Sequence, residues 1–289
     1  MDKILVTGVA GFLGSNLAIH LLNDEKNFIY GLDNFSSSTM SNLYPMLKSD
    51  RFEFIEHNLL ENIDLEADYV YHLAGNGDLS LYYDNKYDFI LNKIEITKNI
   101  IKFCQNRGAK LLLTSCNLDY KDYNFELFKY FDTLKLIENI ALELIQKNKL
   151  NAIIAKLDYV YGENMLKEDI LFIVKHMMDV LNNKNIELDF DESHYFTYVK
   201  DVVLNFEKLM KTYVENPVVE IFNDNLYLKS DIIKLMIKYS KSNSKLNLNS
   251  TIQYNPNFTK TKQPDFNCTT NVLDGVLNMI NYFKLMYFS

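Results

Sequence analysis

The chain has 289 residues, of which 48% are hydrophobic and 24% charged, a composition typical of a folded globular protein and not of a disordered one. Its net charge is −8 and only two of its 30 basic residues are arginines, so we expect neither nucleic acid nor a membrane surface as a partner. Three scattered cysteines are too few for a disulfide framework. No apolar run approaches the roughly 18–20 residues that span a bilayer, and the first residues do not have the layout of a signal peptide. A cytoplasmic location is therefore expected.

Strand-like and helix-like segments alternate through the first 160 residues or so. The predicted strands are Lys3–Gly8, Phe28–Asp33, Phe52–Asn58, Tyr69–Gly75, Lys110–Ser115 and Ala152–Leu157. The predicted helices are Phe12–Asn23, Asp88–Asn106 and Phe131–Asn148. Because neighbouring parallel strands need helical crossovers, this order predicts an α/β fold with a doubly wound, Rossmann-like parallel sheet that is covered on both faces.

After Gly162 the alternation loosens. The predicted helices are Asp169–Leu181, Lys200–Tyr213, Ser230–Tyr239 and Val272–Tyr287, the predicted strands are Ile186–Phe190 and Val218–Phe222, and Ser242–Asn267 is polar and irregular. We therefore predict a Rossmann-like domain over 1–162 and a smaller C-terminal substrate lobe over 163–289, with some segments that rejoin the sheet.

A glycine-rich motif follows the first strand and opens the first helix. In Thr7–Gly14 the glycines stand at positions 8, 11 and 14, where they permit a tight turn, the approach of a pyrophosphate and close packing of the helix on the sheet. The helix N-terminus supplies amide hydrogens and the positive end of its dipole. Asp33 follows Gly14 by 19 residues, and a carboxylate there binds ribose hydroxyls and repels a 2′-phosphate. The motif therefore predicts a site for NAD rather than NADP.

This motif and five further segments resemble the extended short-chain dehydrogenase/reductase family, and within it the nucleotide-sugar epimerases and dehydratases. The further segments are Gly31–Ser36 (GLDNFS), His72–Gly75 (HLAG), Val160–Gly162 (VYG), Phe196–Val202 (FTYVKDV) and Asn271–Val276 (NVLDGV). The resemblance covers nearly the whole chain, and it implies an NAD-dependent enzyme that modifies a nucleotide sugar.

The resemblance also implies which residues contact the cofactor. By this resemblance, the pyrophosphate is lined by Gly8, Gly11, Phe12, Leu13 and Gly14, and the ribose is held by Asp33 and Asn34. The adenine is flanked by Asn58 and Leu59. The chain passes beneath the cofactor at Leu73, Ala74 and Gly75, and the nicotinamide ribose is held by Lys135. Asn58 replaces the usual aspartate, but its amide still forms hydrogen bonds. We interpret His72, at the end of a buried strand, as a packed histidine and not as a catalytic one.

The catalytic residues depart from the pattern of the family, which uses a Ser or Thr after the fifth strand, a Tyr, and a Lys four residues beyond that Tyr. Cys116 occupies the Ser/Thr position, with Ser115 as an alternative if the register shifts. Lys135 matches the lysine, but the residue four positions before it is Phe131, and Tyr130 is five positions away. Tyr130 is the predicted acid/base, and it reaches the site only through a bulge or a frayed first turn of its helix.

Substrate contacts are less well defined by the sequence. Asn76, His194 and Lys156 are the predicted substrate-binding residues, and His194 stands where the family tends to place an arginine. No arginine follows Arg107, so a bidentate clamp on a nucleotide diphosphate is missing. Asp132 and His194 are alternative proton carriers, although a carboxylate in the first turn of a helix is often a simple partner of the helix dipole.

Two functions remain open from the sequence. The first is an NAD-dependent epimerase, dehydratase or reductase of nucleotide sugars with an altered acid/base set. The second is a catalytically silent homologue that binds NAD or a nucleotide sugar as a sensor or partner subunit, which the altered Tyr and Ser/Thr positions favour. The intact glycine motif favours the enzyme.

The family resemblance also implies a homodimer that forms through a four-helix bundle. The two helices concerned would be Asp88–Asn106 and Phe131–Asn148. Leu136, Ile140 and Leu144 form an apolar stripe on the second of them, which faces either the partner or the protein's own sheet.

Overall fold

The structure, a computed structural model, describes residues 1–75, 85–116, 125–167, 171–249 and 266–288, and for 125–130 it describes the backbone alone. The chain forms two compact units. The first unit comprises Met1–Leu157 and Val203–Glu220, and the second comprises Asp158–Val202 and Ile221–Ser289. The domain bounds predicted from the sequence, 1–162 and 163–289, stay a prediction.

The described residues contain the following elements in chain order. The strands are β1 (Asp2–Thr7), β2 (Asn27–Asp33), β3 (Phe52–Glu56), β4 (Tyr69–His72), β5 (Lys110–Cys116), β6 (Ala152–Leu157), β7 (Val160–Tyr161), β8 (Ile186–Leu188), β9 (Ser193–His194), β10 (Thr197–Tyr198), β11 (Val218–Ile221), β12 (Tyr227–Leu228) and β13 (Leu246–Leu248). The helices are α1 (Phe12–Leu21), α2 (Lys86–Arg107), α3 (Phe125–Gln146), α4 (Phe172–Leu181), α5 (Val199–Lys211), α6 (Lys229–Ser240) and α7 (Val272–Tyr287), and a short 3₁₀ helix spans Met40–Leu43. None of the helices described here is long and apolar enough to cross a lipid bilayer.

A seven-stranded sheet forms the centre of the first unit, in the order β11-β6-β5-β4-β1-β2-β3. The neighbouring pairs from β6 to β3 are parallel, which confirms the predicted doubly wound α/β fold. The strand order reverses between β1 and β4, where Thr7 pairs with His72. In open sheets of this type, ligands bind at the carboxyl ends of the strands where the order reverses. The turns after β1 and β4 are therefore where a site is expected.

Helices α2 and α3 cover one face of this sheet. Leu111 and Leu113 of β5 pack in the same buried cluster as Ile100 of α2 and Ala141 of α3. On α3, Leu144 is partly buried against this cluster, whereas Leu136 and Ile140 are 48% and 43% exposed. Of the three residues in the predicted apolar stripe, only Leu144 therefore faces the sheet. The alternative that the stripe faces its own sheet is wrong for Leu136 and Ile140.

The second unit is built from short strand pairs and three helices that contact one another. Its strands pair as β7 with β10, β8 with β13, and β9 with β12, and α6 packs against both α4 and α7. Five of these strands were not predicted from the sequence. Strands β7, β9, β10 and β12 have two residues each, too few to show a strand period, and β13 lies inside the polar stretch 242–267, where its two leucines alternate with an asparagine. Asn247 of β13 donates a hydrogen bond of 2.7 Å to Glu187 of β8, so polar side chains contribute to this pairing.

Candidate active site

The glycine turn between β1 and α1 leaves no room for side chains. Gly8 has a φ of +71°, and a Cβ placed on it would lie 2.8 Å from the backbone nitrogen of Ala74, which follows β4. A Cβ on Gly14 would lie 2.0 Å from the carbonyl oxygen of Gly8. Such distances are far below van der Waals contact, so only glycine permits the helix, the turn and the end of β4 to approach one another this closely.

The carboxylate of Asp33 anchors this turn to the end of β2. One carboxylate oxygen accepts a hydrogen bond of 2.9 Å from the backbone N–H of Ala10, inside the glycine turn. The other accepts from the N–H of Phe35 at 2.9 Å and from the hydroxyl of Ser38 at 2.8 Å. Helix α1 begins at Phe12 without an acidic residue in its first turn. The turn therefore presents the positive end of a helix dipole beside a fixed carboxylate, as a dinucleotide requires.

At the end of β4, His72 is buried, and both of its ring nitrogens have partners. Nδ1 lies 2.8 Å from the hydroxyl of Thr7, and Nε2 lies 3.2 Å from the hydroxyl of Thr97. Burial, together with the charge of Lys93, holds the pKa of His72 well below its usual value. A neutral histidine with both nitrogens occupied agrees with the packed interpretation made from the sequence.

The other residues predicted to contact the cofactor lie around the same edge of the sheet. Asn34 and Asn58 are exposed, and each closes a local turn by accepting a backbone N–H, from Ser36 and Leu60 respectively. Leu59, by contrast, packs its side chain in the core of the unit. Only the backbone of Leu59 is therefore available at this edge. Asn76, a predicted substrate contact, lies outside the described residues.

Helix α3 begins at Phe125, six residues before the predicted start at position 131. Tyr130 therefore lies in the second turn of a continuous α-helix, and neither the frayed first turn nor the bulge that we predicted is present in the backbone of α3. Five residues of α-helix turn through about 500°, so the backbone positions 130 and 135 lie about 140° apart around the helix axis. Phe131 is buried, with 8% of its surface exposed. The backbone of α3 thus lacks the local distortion that was expected at Tyr130, and the role of Tyr130 stays a prediction.

A buried carboxylate that the sequence analysis did not identify organises the end of β5. Glu138 on α3 is 5% exposed. It accepts a hydrogen bond of 3.0 Å from the hydroxyl of Ser115, and its other oxygen lies 3.1 Å from Nζ of Lys156 and 3.3 Å from Nζ of Lys135. The side chain of Glu138 thus brings together three of the predicted site residues, Ser115, Lys135 and Lys156. Cys116, next to Ser115 in the chain, is partly buried.

The helical pattern alone contained a signal for Glu138. It lies among the buried residues Leu134, Ile137 and Ala141 of α3, and a carboxylate in a buried helical stripe requires a cationic or hydrogen-bonding partner. Lys135 and Lys156, which were predicted to bind cofactor and substrate, supply that partner here. Asp132, the alternative proton carrier, lies on the exposed side of α3.

In the second unit, His194 belongs to a buried network of charges. Its ring nitrogens lie 3.6 Å from a carboxylate oxygen of Asp158 and 3.5 Å from one of Glu192. Burial lowers the pKa of His194, but these two carboxylates outweigh it and raise the pKa above its usual value. Lys229 pairs with Glu192 and lies over the ring of Tyr159. The positive charge of His194, which was predicted to bind a substrate, is thus neutralised by carboxylates of its own unit.

Comparisons with known proteins agree with this geometry. The sequence model of the NAD-dependent epimerase/dehydratase family matches residues 4–223. UDP-glucuronic acid decarboxylase 6 of Arabidopsis thaliana is 24% identical over 94% of this chain and 83% of its own. The solved structure of UDP-glucuronic acid 4-epimerase from Bacillus cereus with UDP-glucuronic acid and NAD superposes with a TM-score of 0.83, at 22% identity, over 99% of this chain and 100% of the other. For dTDP-glucose 4,6-dehydratase from Bacillus anthracis with NAD, the TM-score is 0.82 at 17% identity, over 99% and 98%.

Proposed function

Because the chain belongs to the NAD-dependent epimerase/dehydratase family, which confirms the resemblance read from its motifs, we propose that it is an NAD-dependent enzyme that modifies a nucleotide sugar. The observation that supports this most directly is the close approach of Gly8, Gly14 and Ala74 at the point where the strand order reverses. This close packing leaves the backbone N–H groups of the turn uncovered at the start of α1, where a pyrophosphate would accept hydrogen bonds from them.

The residues of the first unit fit NAD. The pyrophosphate would be held by Gly8, Gly11, Phe12, Leu13 and Gly14, and the adenosine ribose by Asp33 and Asn34. The adenine would contact Asn58 and the backbone of Leu59. The underside of the cofactor would lie on Leu73, Ala74 and Gly75, and the nicotinamide ribose would be held by Lys135. The fixed carboxylate of Asp33 would also disfavour the 2′-phosphate of NADP.

When bound, NAD would supply the acceptor for a hydride from the sugar carbon that bears the hydroxyl, which becomes a carbonyl when the hydroxyl also loses its proton. The chain must then take the hydroxyl proton, and Tyr130 remains our proposed acid/base, with Asp132 and His194 as the alternatives. Cys116 and Ser115 are the proposed hydrogen-bonding partners of the reacting oxygen. Since the hydroxyl of Ser115 already donates to Glu138, Ser115 would act there as an acceptor.

The substrate that we propose is a UDP-sugar with a carboxylate, with UDP-glucuronic acid as the first candidate. This proposal is supported by the Arabidopsis relative and the Bacillus cereus neighbour, which are both named for UDP-glucuronic acid. Asn76, Lys156 and His194 are the proposed contacts. Because Lys156 and His194 are paired with carboxylates, we expect the diphosphate to be held mainly by backbone and neutral groups.

Calorimetric titration with NAD tests the proposal first. The NAD-loaded protein is then incubated with UDP-glucuronic acid and a panel of UDP-, dTDP-, GDP- and CDP-sugars, while NADH absorbance and the NMR spectra of the sugars are followed. Conversion of a sugar, or transient NADH, supports an enzyme. Binding of NAD without conversion of any sugar would instead favour the silent homologue, and the absence of NAD binding would overturn the proposal.

We also propose that the protein is a cytoplasmic homodimer that pairs α2 and α3 with the same helices of a partner. Exposed apolar side chains on both helices support this: Leu136 and Ile140 on α3, and Leu91, 45% exposed, on α2. Sedimentation of the protein and of a Leu136→Asp, Ile140→Asp variant tests it. We expect a dimer that the two aspartates dissociate.

A further inference from the structure

Lys93 on α2 is a buried cation that has no carboxylate partner among the residues that the structure describes. Its side chain is 5% exposed, although lysine is almost never buried unless it is paired. Its ammonium donates one hydrogen bond, 3.0 Å long, to the carbonyl oxygen of Ala74. Within the part of the chain that the structure describes, this is the one acceptor for a group that carries three N–H bonds. Burying a charge in this way is costly, and the fold gains nothing evident from it.

The position of Lys93 connects it to the glycine turn. The carbonyl oxygen of Ala74 accepts the hydrogen bond from Lys93, and the backbone nitrogen of Ala74 lies 2.8 Å from the position that a Cβ on Gly8 would take. The same nitrogen donates a hydrogen bond of 3.4 Å to the hydroxyl of Thr7. A Cβ on Gly75 would lie 3.2 Å from Cδ and 3.5 Å from Nζ of Lys93. Only one residue of backbone therefore separates the ammonium from the turn that would receive a pyrophosphate.

We propose that Lys93 is a positioning residue for NAD: its ammonium holds the backbone of Ala74 and Gly75 against the glycine turn and supplies the positive charge that a bound pyrophosphate requires. This inference rests on the proposed function, since it assumes that the turn binds NAD. A charge behind a thin layer of backbone acts strongly because the low dielectric of the interior screens it little.

The inference has a consequence for the dependence of NAD binding on pH. Burial lowers the pKa of Lys93 to about 7, so the NAD-free protein carries this charge only part of the time near neutral pH. His72 of β4 is the titratable neighbour whose electrostatic interaction with Lys93 is resolved, and its own lowered pKa keeps it neutral. On α3, Glu138 pairs with Lys135 and Lys156. Among the described groups that contact the end of β4, Lys93 is therefore the one whose pKa lies near neutrality.

A pyrophosphate stabilises the charged form of Lys93 and so raises its pKa. NAD should then bind with uptake of a proton, and its affinity should fall as the pH rises through about 7. If only the charged form binds well, Kd increases by up to about tenfold per pH unit above 7, and roughly half to one proton is taken up at pH 7.5.

Calorimetric titration with NAD, from pH 6 to pH 8 and in two buffers of different ionisation enthalpy, tests the inference. We compare the natural protein with Lys93→Met, which removes the charge but keeps the bulk, and with Lys93→Arg, whose charge does not titrate. Lys98→Met is the matched control, since Lys98 lies on the same helix but is 51% exposed and pairs with Glu95. We expect proton uptake in the natural protein and in Lys98→Met only, weaker binding at pH 6 in Lys93→Met, and pH-independent binding in Lys93→Arg.

The outcomes separate this inference from the proposed function. If the natural protein binds NAD without proton uptake, or if Lys93→Met takes up the same number of protons, the inference is overturned and the proposed function stands. If the natural protein does not bind NAD at any pH, both fall. Proton uptake by the natural protein is informative even if a variant does not fold. We expect Lys93→Met to fold, with a higher melting temperature, because it removes an unpaired buried charge.

Discussion

Two parts of the same sheet edge differ in what forms the site: backbone groups in one part and charged side chains in the other. Around β1, β2 and β4 the site consists mainly of backbone, brought together by Gly8 and Gly14 and fixed by Asp33. Around β5, β6 and α3 it consists of charged side chains gathered on Glu138. Backbone sites depend on glycine spacing, which the chain keeps, whereas side-chain sites depend on helix register, and here Tyr130 lies five residues before Lys135 and not four. The glycine spacing therefore supports the proposed cofactor half directly, and the catalytic half stays a proposal to be tested by variants.

The largest effect on NAD binding is expected where the backbone site is disrupted. In Gly8→Ala, an alanine must adopt a φ of +71° while its Cβ lies 2.8 Å from the nitrogen of Ala74. The turn and the end of β4 must then separate, and we expect NAD affinity to fall by roughly 100-fold or more, or about 3 kcal/mol. Titration with NAD measures it.

Gly108→Ala is a matched control for that variant. Gly108, which follows α2, also has a φ of +71°, but no other atom would lie within 4 Å of its Cβ. We expect a loss of about 1 kcal/mol in the free energy of unfolding and unchanged NAD affinity. If the two variants weaken NAD binding equally, close approach at Gly8 is not what the site requires.

The catalytic half is tested by removing the proposed acid/base. Tyr130→Phe should lower kcat by about 100- to 10,000-fold with little change in NAD affinity, because it removes one proton carrier. Lys135→Met should lower kcat and weaken NAD binding together, since Lys135 would hold the nicotinamide ribose. Tyr87→Phe, at an exposed position of α2, is the control. An active Tyr130→Phe variant would exclude Tyr130 as the acid/base and leave Asp132 or His194 to be tested next.

The Glu138 network should affect folding more than cofactor binding. Glu138→Gln keeps the shape of the side chain but leaves Lys156, 15% exposed, beside Lys135 without an opposing charge. We expect the free energy of unfolding to fall by about 2–4 kcal/mol. In Glu143→Gln, whose exposed pair with Lys147 lies on the same helix, we expect less than about 1 kcal/mol. Urea unfolding of both variants measures the difference, and equal losses would mean that burial of the network contributes nothing.

These two halves also explain what the sequence could predict. The glycine spacing and the apolar runs encode backbone geometry directly, so the sheet and the turn follow from them, whereas the ribose-binding role of Asp33 stays a prediction. The start of α3 was misplaced because the motif of the family, and not the apolar spacing of residues 125–130, set the expected boundary. Glu138 and Lys93 were missed because periodicity tells which face of a helix is buried, but not which charge or carbonyl lies opposite on another element. Strand β13 was hidden by its polar neighbours.

The smallest predicted effect compares the two units through their buried histidines. His72 of the first unit has a lowered pKa, so its contribution to stability is complete above the unfolded pKa of about 6.5 and is lost as the pH falls. His194 of the second unit has a raised pKa, so its contribution is complete below about 6.5 and is lost as the pH rises through its folded pKa. Each contribution amounts to on the order of 1 kcal/mol per unit of pKa.

Amide hydrogen exchange, read separately for the two units between pH 5 and 8, tests this opposition. After correction for the intrinsic exchange rate, the protection that His72→Gln removes from the first unit should be largest above pH 6.5, and the protection that His194→Gln removes from the second unit should be largest below pH 6.5. Comparison with each variant is needed because Lys93 of the first unit and His176 of the second, whose pKa values are lowered to about 7 and about 4, add their own pH dependence. If the two differences change with pH in the same direction, the paired carboxylates Asp158 and Glu192 do not hold the proton on His194.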